Sequence, residues 1–366
     1  MIKVIELFAG IGSQREALKR ANIEHEIVAI SENDKYANKA YELLHGKTNN
    51  LGDIKNIERL PKADLWTYSF PCTDISLAGK MKGFDIGSGT HSSLLWEVQR
   101  LLEVSKKNEE LPKYLLMENV KNIISKNFMS LFQVWLDYLE NLGYKNFYKI
   151  LNAKDYGIPQ NRERCFMISI RDKNARYEFP KPIPLTKKLA DLLEKNVDEK
   201  YFLSEKLLTC FTDMKDRHGL IRGLRFKPRY MSSADYAFTI TTHAGYRPTD
   251  NYIIIPQDTK EGYALAEVGD GVYTNRCPSK RGVVQKSMIP TLKTSVSDIG
   301  VVDNDKDELI SIRRLTPREC WRLMGWDDNQ IDKVINEISN TQLYKMSGNG
   351  IVVDVLENVF KAHNYL

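Results

Sequence analysis

Short apolar runs separated by amphipathic stretches set the rhythm of the first half of the chain. Residues 2–8 alternate as a strand does and run into the turn Gly10-Ile11-Gly12. Arg15-Glu16-Ala17-Leu18-Lys19-Arg20 then reads as helix. Ile27-Val28-Ala29-Ile30 is a second strand pattern, followed by the helical Lys35-Tyr36-Ala37-Asn38-Lys39-Ala40-Tyr41. Leu65-Trp66-Thr67-Tyr68-Ser69-Phe70 is a third, stopped by Pro71, and Lys113-Tyr114-Leu115-Leu116-Met117 a fourth, ending at Glu118. Cys165-Phe166-Met167-Ile168-Ser169-Ile170 closes the series. Strands alternating with helices predict an α/β fold with a doubly wound, mostly parallel sheet. In such sheets ligands sit beyond the carboxyl ends of the strands, and the candidate chemistry of this chain is expected there.

The rhythm changes near residue 176. Phe179-Pro180-Lys181-Pro182-Ile183-Pro184 has the composition of a linker. Residues 185–193 still carry a helical pattern; beyond them the chain reads as short strands and turns with many basic and aromatic residues. Arg222, Arg225, Phe226, Lys227, Arg229, Tyr230, Tyr246, Arg247 and Arg281 are examples. Helical order returns at Thr316-Pro317, a capping threonine with proline in the first turn. The amphipathic stretch 352–360 is expected to pack back on the first domain. The reading is therefore a catalytic and cofactor-binding domain over 1–175, a smaller loop-rich β domain over 176–310, and a return over 311–366.

Composition narrows the class. A chain of 366 residues suits one large and one smaller domain. Formal net charge is +5, compatible with a polyanionic partner but equally with a lysine-rich enzyme. The five cysteines (Cys72, Cys165, Cys210, Cys277, Cys320) are odd in number and far apart, which argues against a disulfide framework and against zinc. The opening strand pattern leaves no room for a signal peptide, and no apolar run approaches a membrane span. A cytoplasmic protein is expected, where thiols stay reduced.

Four local words carry the candidate chemistry. The first is Phe8-Ala9-Gly10-Ile11-Gly12, a turn that lets a cofactor approach the backbone, with Glu32 after the second strand, where an acid can bind ribose hydroxyls. A nicotinamide dehydrogenase, a nucleotide-binding domain or an ordinary tight turn would each explain it; Arg15 in place of a third glycine counts against the dehydrogenase. The second is Ser69-Phe70-Pro71-Cys72-Thr73-Asp74, where a cysteine just past a strand end is either a nucleophile or a small buried apolar group. The third is Glu118-Asn119-Val120, a carboxyl after an apolar strand, where burial would raise its pKa; it could instead cap a helix. The fourth is Gln160-Asn161-Arg162-Glu163-Arg164, whose two arginines alternate and so share a face, or else pair with surface acids.

In this order, these words resemble the DNA (cytosine-5)-methyltransferase family in its bacterial and phage restriction-modification form. Arg313-Arg314-Leu315-Thr316-Pro317-Arg318-Glu319 is similar to that family's motif buttressing the target-recognition domain. Gly348-Asn349-Gly350-Ile351 is similar to its closing motif. The resemblance implies a Rossmann-like catalytic domain and a target-recognition domain in the word-poor region 176–310. It implies methyl transfer from S-adenosyl-L-methionine to C5 of a flipped-out cytosine in double-stranded DNA, leaving S-adenosyl-L-homocysteine and using no metal. Cys72 would attack C6, Glu118 would assist at N3, and Arg162 and Arg164 would meet O2 or a phosphate. Phe8, Ala9, Gly10, Ile11, Gly12, Glu32, Asp53, Ile54, Pro71, Leu94, Asn349 and Ile351 would hold the cofactor.

The loop with Gly79, Gly83, Gly87 and Gly89 and with Lys80 and Lys82 would close over DNA. A monomer is implied, and a cognate endonuclease acting as a separate protein is compatible with this reading. The source would be bacterial, host or prophage. Three positions depart from the family pattern: Thr73 for a common glutamine, Gly350 for a frequent serine, and His91 for a usual arginine. A tRNA-directed relative is the nearest rival, disfavoured by the long region 176–310. A catalytically idle DNA-binding regulator is the other, disfavoured by the intact Cys72, Glu118 and arginine set.

Overall fold

The computed structural model describes residues 1–71, 91–202, 253–256, 263–274, 282–294, 298–304 and 310–362. Cys72, the glycine-rich loop after it, Cys210, Cys277, Arg281 and the basic and aromatic residues between 222 and 247 lie outside the described residues, as does the side chain of His91.

The first part of the chain folds as β1 (Ile2–Leu7), α1 (Ser13–Arg20), β2 (His25–Ser31), α2 (Lys35–His45), β3 (Leu65–Tyr68), α3 (Leu95–Lys107), β4 (Tyr114–Val120), α4 (Met129–Asn141), β5 (Lys145–Asn152), β6 (Gln160–Asn161) and β7 (Glu163–Ile170). Six of these strands form one sheet in the order β2-β1-β3-β4-β7-β5. β2, β1, β3 and β4 pair in parallel, and β7 runs antiparallel to both of its neighbours. The expected mostly parallel sheet is present, with one strand reversed.

That reversal positions the site. The arginine motif precedes its strand, so in a wholly parallel sheet it would emerge at the edge opposite Glu118. Because β7 is antiparallel, Arg164 pairs with Val120 and Cys165 with Asn119. The described residues of the candidate words thus lie toward one edge of the sheet.

Burial follows the strand period. On β4, Tyr114 and Leu116 enter one apolar cluster, while Leu115 and Met117 enter another on the opposite face. β3 does the same with Leu65 against Trp66 and Tyr68. Both faces are covered, which is why these strands read as unbroken apolar runs. α3 and α4 cover one face through Leu95, Val98, Phe132 and Trp135. α1 and the C-terminal helix Val353–Lys361 cover the other, through Ala17, Leu18, Leu356 and Val359. The C-terminal stretch therefore packs on α1.

Two sequence expectations need correction or addition. The helical pattern over 185–193 yields only the single 3-10 turn Leu189–Leu192. The linker prolines just before it leave too few residues to nucleate an α-helix. β5 was not expected at all: it is an edge strand with Tyr148 and Ile150 exposed, so no clean alternation marks it.

Beyond the linker, an antiparallel four-stranded sheet runs in the order Val284–Gln285, Gly271–Tyr273, Ile299–Asn304, Ile310–Arg313. Ile289–Pro290 leaves that region to pair in parallel with β6, joining Ile289 to Gln160 and Pro290 to Asn161. Thr316 caps the helix Pro317–Arg322 reciprocally with Glu319. The Glu319 carboxylate also takes both ends of the fully buried Arg313 fork at 2.8 Å each, while Arg313 Nε donates to Asp303 at 2.7 Å. Among the described residues no helix is long and apolar enough to cross a membrane.

Candidate active site

β1 ends in a run of left-handed residues: Phe8 (φ +56°), Gly10 (+57°) and Gly12 (+77°). Phenylalanine there is strained, and such strain persists only where the surroundings over-determine it. Here Ala9 N–H donates to Ser31 O at 3.1 Å, Gly10 N–H to Glu32 Oε2 at 2.8 Å, and Gly12 N–H to Ala9 O at 3.0 Å. Gly12 caps α1 but has no side chain to accept its amides. Glu6, from inside β1, does so instead: Oε1 accepts Arg15 N–H at 2.8 Å and Oε2 accepts the Tyr41 hydroxyl at 2.6 Å.

Glu6 is fully buried, and burial pushes its pKa up to about 7 against the pull of Tyr41 and Arg15. Burial and the Arg15 charge hold His45 down at about 4, so its ring is neutral near pH 7. Its Nε2, 3.1 Å from Ile11 O, is then the donor in that bond. A methyl group on Gly12 would lie 2.5 Å from His45 Nε2 and 2.7 Å from Tyr41 Cε2. Sequence reading missed Glu6, Tyr41 and His45. The signal was the i, i+4 spacing of Tyr41 and His45, which sets both on one face of α2.

Glu32 stands beside the turn. Besides Gly10, it accepts Asp34 N–H at 2.7 Å, and burial raises its pKa. The segment bearing Asp53 is fastened to the end of β2. Ser31 Oγ donates to Gly52 O at 2.8 Å, and Asn50 bonds both Glu32 main-chain groups and Gly52 N–H. Asp53 accepts Lys55 N–H and opens the 3-10 turn Ile54–Asn56. Phe8 and Leu94 pack on the apolar cluster that contains Ile54, and Ile351 shares a cluster with Ile11. Asn349 is exposed at the end of the helix Asn340–Asn349, whose Lys345 pairs with Asp34 at 2.6 Å.

Gly10 and Gly52 would each meet nothing within 4 Å if given a methyl group, so there is open room above both turns. An apolar wall, an acid after β2 and open glycine backbone suit an adenosine-bearing group. Among the described residues no group of His, Cys, Asp and Glu is placed to hold a metal.

At the next two strand ends, Asn119 Nδ2 donates to Phe70 O at 3.1 Å, fixing the exit of β3 just before Pro71 and Cys72. Glu118 is buried, with Arg164 Nε 3.3 Å from its Oε1. Burial raises the Glu118 pKa, opposed by Arg164, then Arg162, then the Ser69 hydroxyl. A raised carboxyl held by a guanidinium can serve as a proton donor to a nearby ring nitrogen. The Arg164 fork also reaches Glu163 O at 2.8 Å, while Glu163 itself pairs with Lys121.

Arg162 turns elsewhere. Its two terminal nitrogens donate to Leu292 O at 2.9 Å, Gly348 O at 2.9 Å and Gly350 O at 2.7 Å. Cys165 and Cys320 are fully buried, and burial pushes the Cys165 thiol up to about 12 and the Cys320 thiol up as well. Both are core residues unsuited to nucleophilic attack.

The sequence profile described as C-5 cytosine-specific DNA methylase matches residues 2–364. The chain is 36% identical to Type II methyltransferase M2.ScrFI of Lactococcus lactis subsp. cremoris, covering 99% of this chain and 98% of the relative. It is 31% identical to Type II methyltransferase M.HhaI of Haemophilus parahaemolyticus, over 98% and 93% of the two chains. It is 27% identical to Orphan methyltransferase M.SPBetaI of Bacillus phage SPbeta, over 100% and 98%. Among solved structures, a Spodoptera frugiperda DNMT2 variant aligns with a TM-score of 0.63 at 19% identity, over 99% of each chain, a likeness of fold.

Proposed function

The chain belongs to the C-5 cytosine-specific DNA methylase family and is a DNA cytosine-C5 methyltransferase; from that premise we propose that it works through a covalent bond between Cys72 and C6 of a cytosine swung out of the duplex. Cytosine C5 is too weak a nucleophile to accept a methyl group unaided. Attack by the Cys72 thiolate at C6 forms a C–S bond and moves the ring electrons toward N3 and C5. Glu118 gives its proton at N3, which a buried carboxyl with a raised pKa is suited to do. Arg164 steadies the carboxylate that remains and offers its fork to the base O2. S-adenosyl-L-methionine, when bound, supplies an electrophilic methyl group for C5. Water takes the C5 proton, the Cys72 thiolate is expelled, and the N3 proton returns to the Glu118 carboxylate, which restores both the aromatic ring and the acid.

The cofactor pocket is assigned to Phe8, Ala9, Gly10, Ile11, Gly12, Glu32, Asp53, Ile54, Pro71, Leu94, Asn349 and Ile351. The target base must leave the stack because its C6 face is covered inside B-DNA. Region 176–310 is assigned to reading the site in the major groove. The protein is taken to act as a cytoplasmic monomer.

The observation that carries this reading is the register of β4 and β7. It sets Glu118 and Arg164 together at the edge where Asn119 pins the backbone leading to Cys72. The recognised site can be found by bisulfite sequencing of DNA from expressing cells. A duplex with 5-fluorocytosine at that site has no C5 proton to lose, so wild type should form a denaturation-stable adduct and Cys72→Ala none. Failure of wild type to form the adduct, or methylation by the variant, would sink the mechanism.

A further inference from the structure

Arg162 sits in the short break between β6 and β7, 3% exposed. Its N–H donates to Asn152 Oδ1 at 3.1 Å, and its fork donates to three main-chain carbonyls from two distant segments. One is Leu292, in the stretch that pairs with β6. The others, Gly348 and Gly350, flank Asn349, and Gly350 directly precedes Ile351. A guanidinium is a rigid planar fork with donors only, so it can gather carbonyls from separate segments into one fixed arrangement.

The junction is tight on every side. Gln160, fully buried, donates to Leu323 O at 2.7 Å and accepts Leu292 N–H at 3.1 Å. Thr291 Oγ1 donates to Asn161 O at 2.7 Å. A methyl group on Gly348 would lie 2.2 Å from the carbonyl carbon of Lys293. Residues 348–350 are therefore packed closely against the Lys293–Thr294 backbone, and Arg162 ties two of their carbonyls to the sheet.

We propose that Arg162 is a positioning residue for the cofactor pocket and not a contact to the target base. Its fork locks residues 348–351 against the catalytic sheet. Arg164, two positions on, stands at the base pocket with Glu118. The arginine motif thus divides its labour: one fork couples the segment that closes on the methyl donor, the other serves the base. This rests on the assignment of Asn349 and Ile351 to the cofactor pocket.

The test is binding of S-adenosyl-L-homocysteine by titration calorimetry with no DNA present. Failure of wild type to bind the product would defeat the cofactor reading, and the proposal with it; wild type binding while the Arg162 and Gln160 variants bind equally well would defeat the proposal alone. Arg162→Lys keeps the charge but cannot span three carbonyls. We expect its dissociation constant to rise roughly 10-fold, the scale of about one net hydrogen bond to a charged group. KM for S-adenosyl-L-methionine should rise in parallel, KM for DNA should stay within about twofold, and saturating cofactor should recover most of kcat.

Arg164→Lys should bind product as wild type does while losing kcat. Gln160→Ala, which loosens the same junction without touching either arginine, should weaken product binding in the same direction, and it serves if Arg162→Lys does not fold. Wild-type product affinity in Arg162→Lys with kcat lost at saturating cofactor would overturn the proposal and return Arg162 to the base, as would wild-type affinity in Gln160→Ala.

Discussion

Arg164 Nε lies 3.3 Å from Glu118 Oε1 across two antiparallel strands. The register sets Arg164 opposite Val120 and Glu118 opposite Phe166, so the pair meets on a diagonal of one sheet face. Glu118 is buried and Arg164 nearly so, so the interaction is little screened by solvent. Burial favours the neutral carboxyl and the guanidinium favours the charged one. An acid balanced between those forces can release a proton as charge builds on its partner and remain stable afterward.

Glu118→Gln keeps the shape and a polar oxygen facing Arg164 but removes the transferable proton. Turnover should fall by roughly 10²–10⁴-fold, the range for a lost general acid. DNA affinity should change far less. Single-turnover methylation with a pre-bound duplex measures this directly, and near-wild-type turnover would leave Glu118 a structural partner of Arg164.

Much of this was legible in the chain. β3 and β4 announce themselves because both their faces are buried, and an unbroken apolar run stopped by Pro71 or Glu118 has few other readings. The capping box at Thr316 and Glu319 is a local device that needs only local sequence. What was not legible depends on partners far along the chain. The reversal of β7 leaves no local mark, because a buried strand looks the same in either direction. Arg162 and Arg164 are alike as residue types, and only the arrival of residues 292 and 348–350 separates them. Glu6 lies in an apolar strand as an apparent exception, and its reason, the amide of Arg15 and the hydroxyl of Tyr41, is visible only in three dimensions.

Glu6 should give the folding stability a pH dependence of definite sign. Its pKa is about 7 in the fold, against about 4.3 for an ordinary glutamate. Below the lower value both states hold the proton. Between the two, the unfolded chain has released it while the folded protein keeps it, so rising pH favours unfolding, at up to about 1.4 kcal/mol per pH unit. Above pH 7 both are ionised and the loss levels off. Glu6→Gln removes the titration, so urea unfolding at pH 5 and pH 7.5 should show wild type losing roughly 2 kcal/mol relative to the variant. Parallel profiles would place the titration elsewhere.

The buried pair Arg313–Glu319 joins the antiparallel sheet to the helix Pro317–Arg322. Removing the Glu319 charge leaves the buried Arg313 with Asp303 as its charged partner, so Glu319→Gln should cost up to about 3–5 kcal/mol. Arg313→Met should cost a similar amount, and the double variant clearly less than the sum. Urea melts of the three chains measure the coupling. Additive losses would mean that Asp303 and the other nearby groups, not the pair, hold the junction.

The two glycines of the turn after β1 should fail in different ways when given a side chain. Both have positive φ, so alanine at either position pays a left-handed cost of about 1 kcal/mol. At Gly10 the added methyl group meets nothing within 4 Å. At Gly12 it would lie 2.5 Å from His45 Nε2 and 2.7 Å from Tyr41 Cε2. Neither ring can swing aside freely, since Tyr41 is held by Glu6 and His45 by Ile11 O. Gly12→Ala should therefore lose roughly 2–4 kcal/mol of stability, the left-handed cost plus that of overpacking. Pairing it with His45→Ala should restore part of the loss. Gly10→Ala should stay within about 1 kcal/mol of wild type in urea, yet bind S-adenosyl-L-homocysteine far more weakly, because its methyl group occupies the room above the turn. Stability and affinity would thus separate between neighbouring glycines. If Gly10→Ala bound the product as wild type does, the cofactor would not approach the turn at Gly10, and the pocket would have to lie elsewhere along the sheet edge.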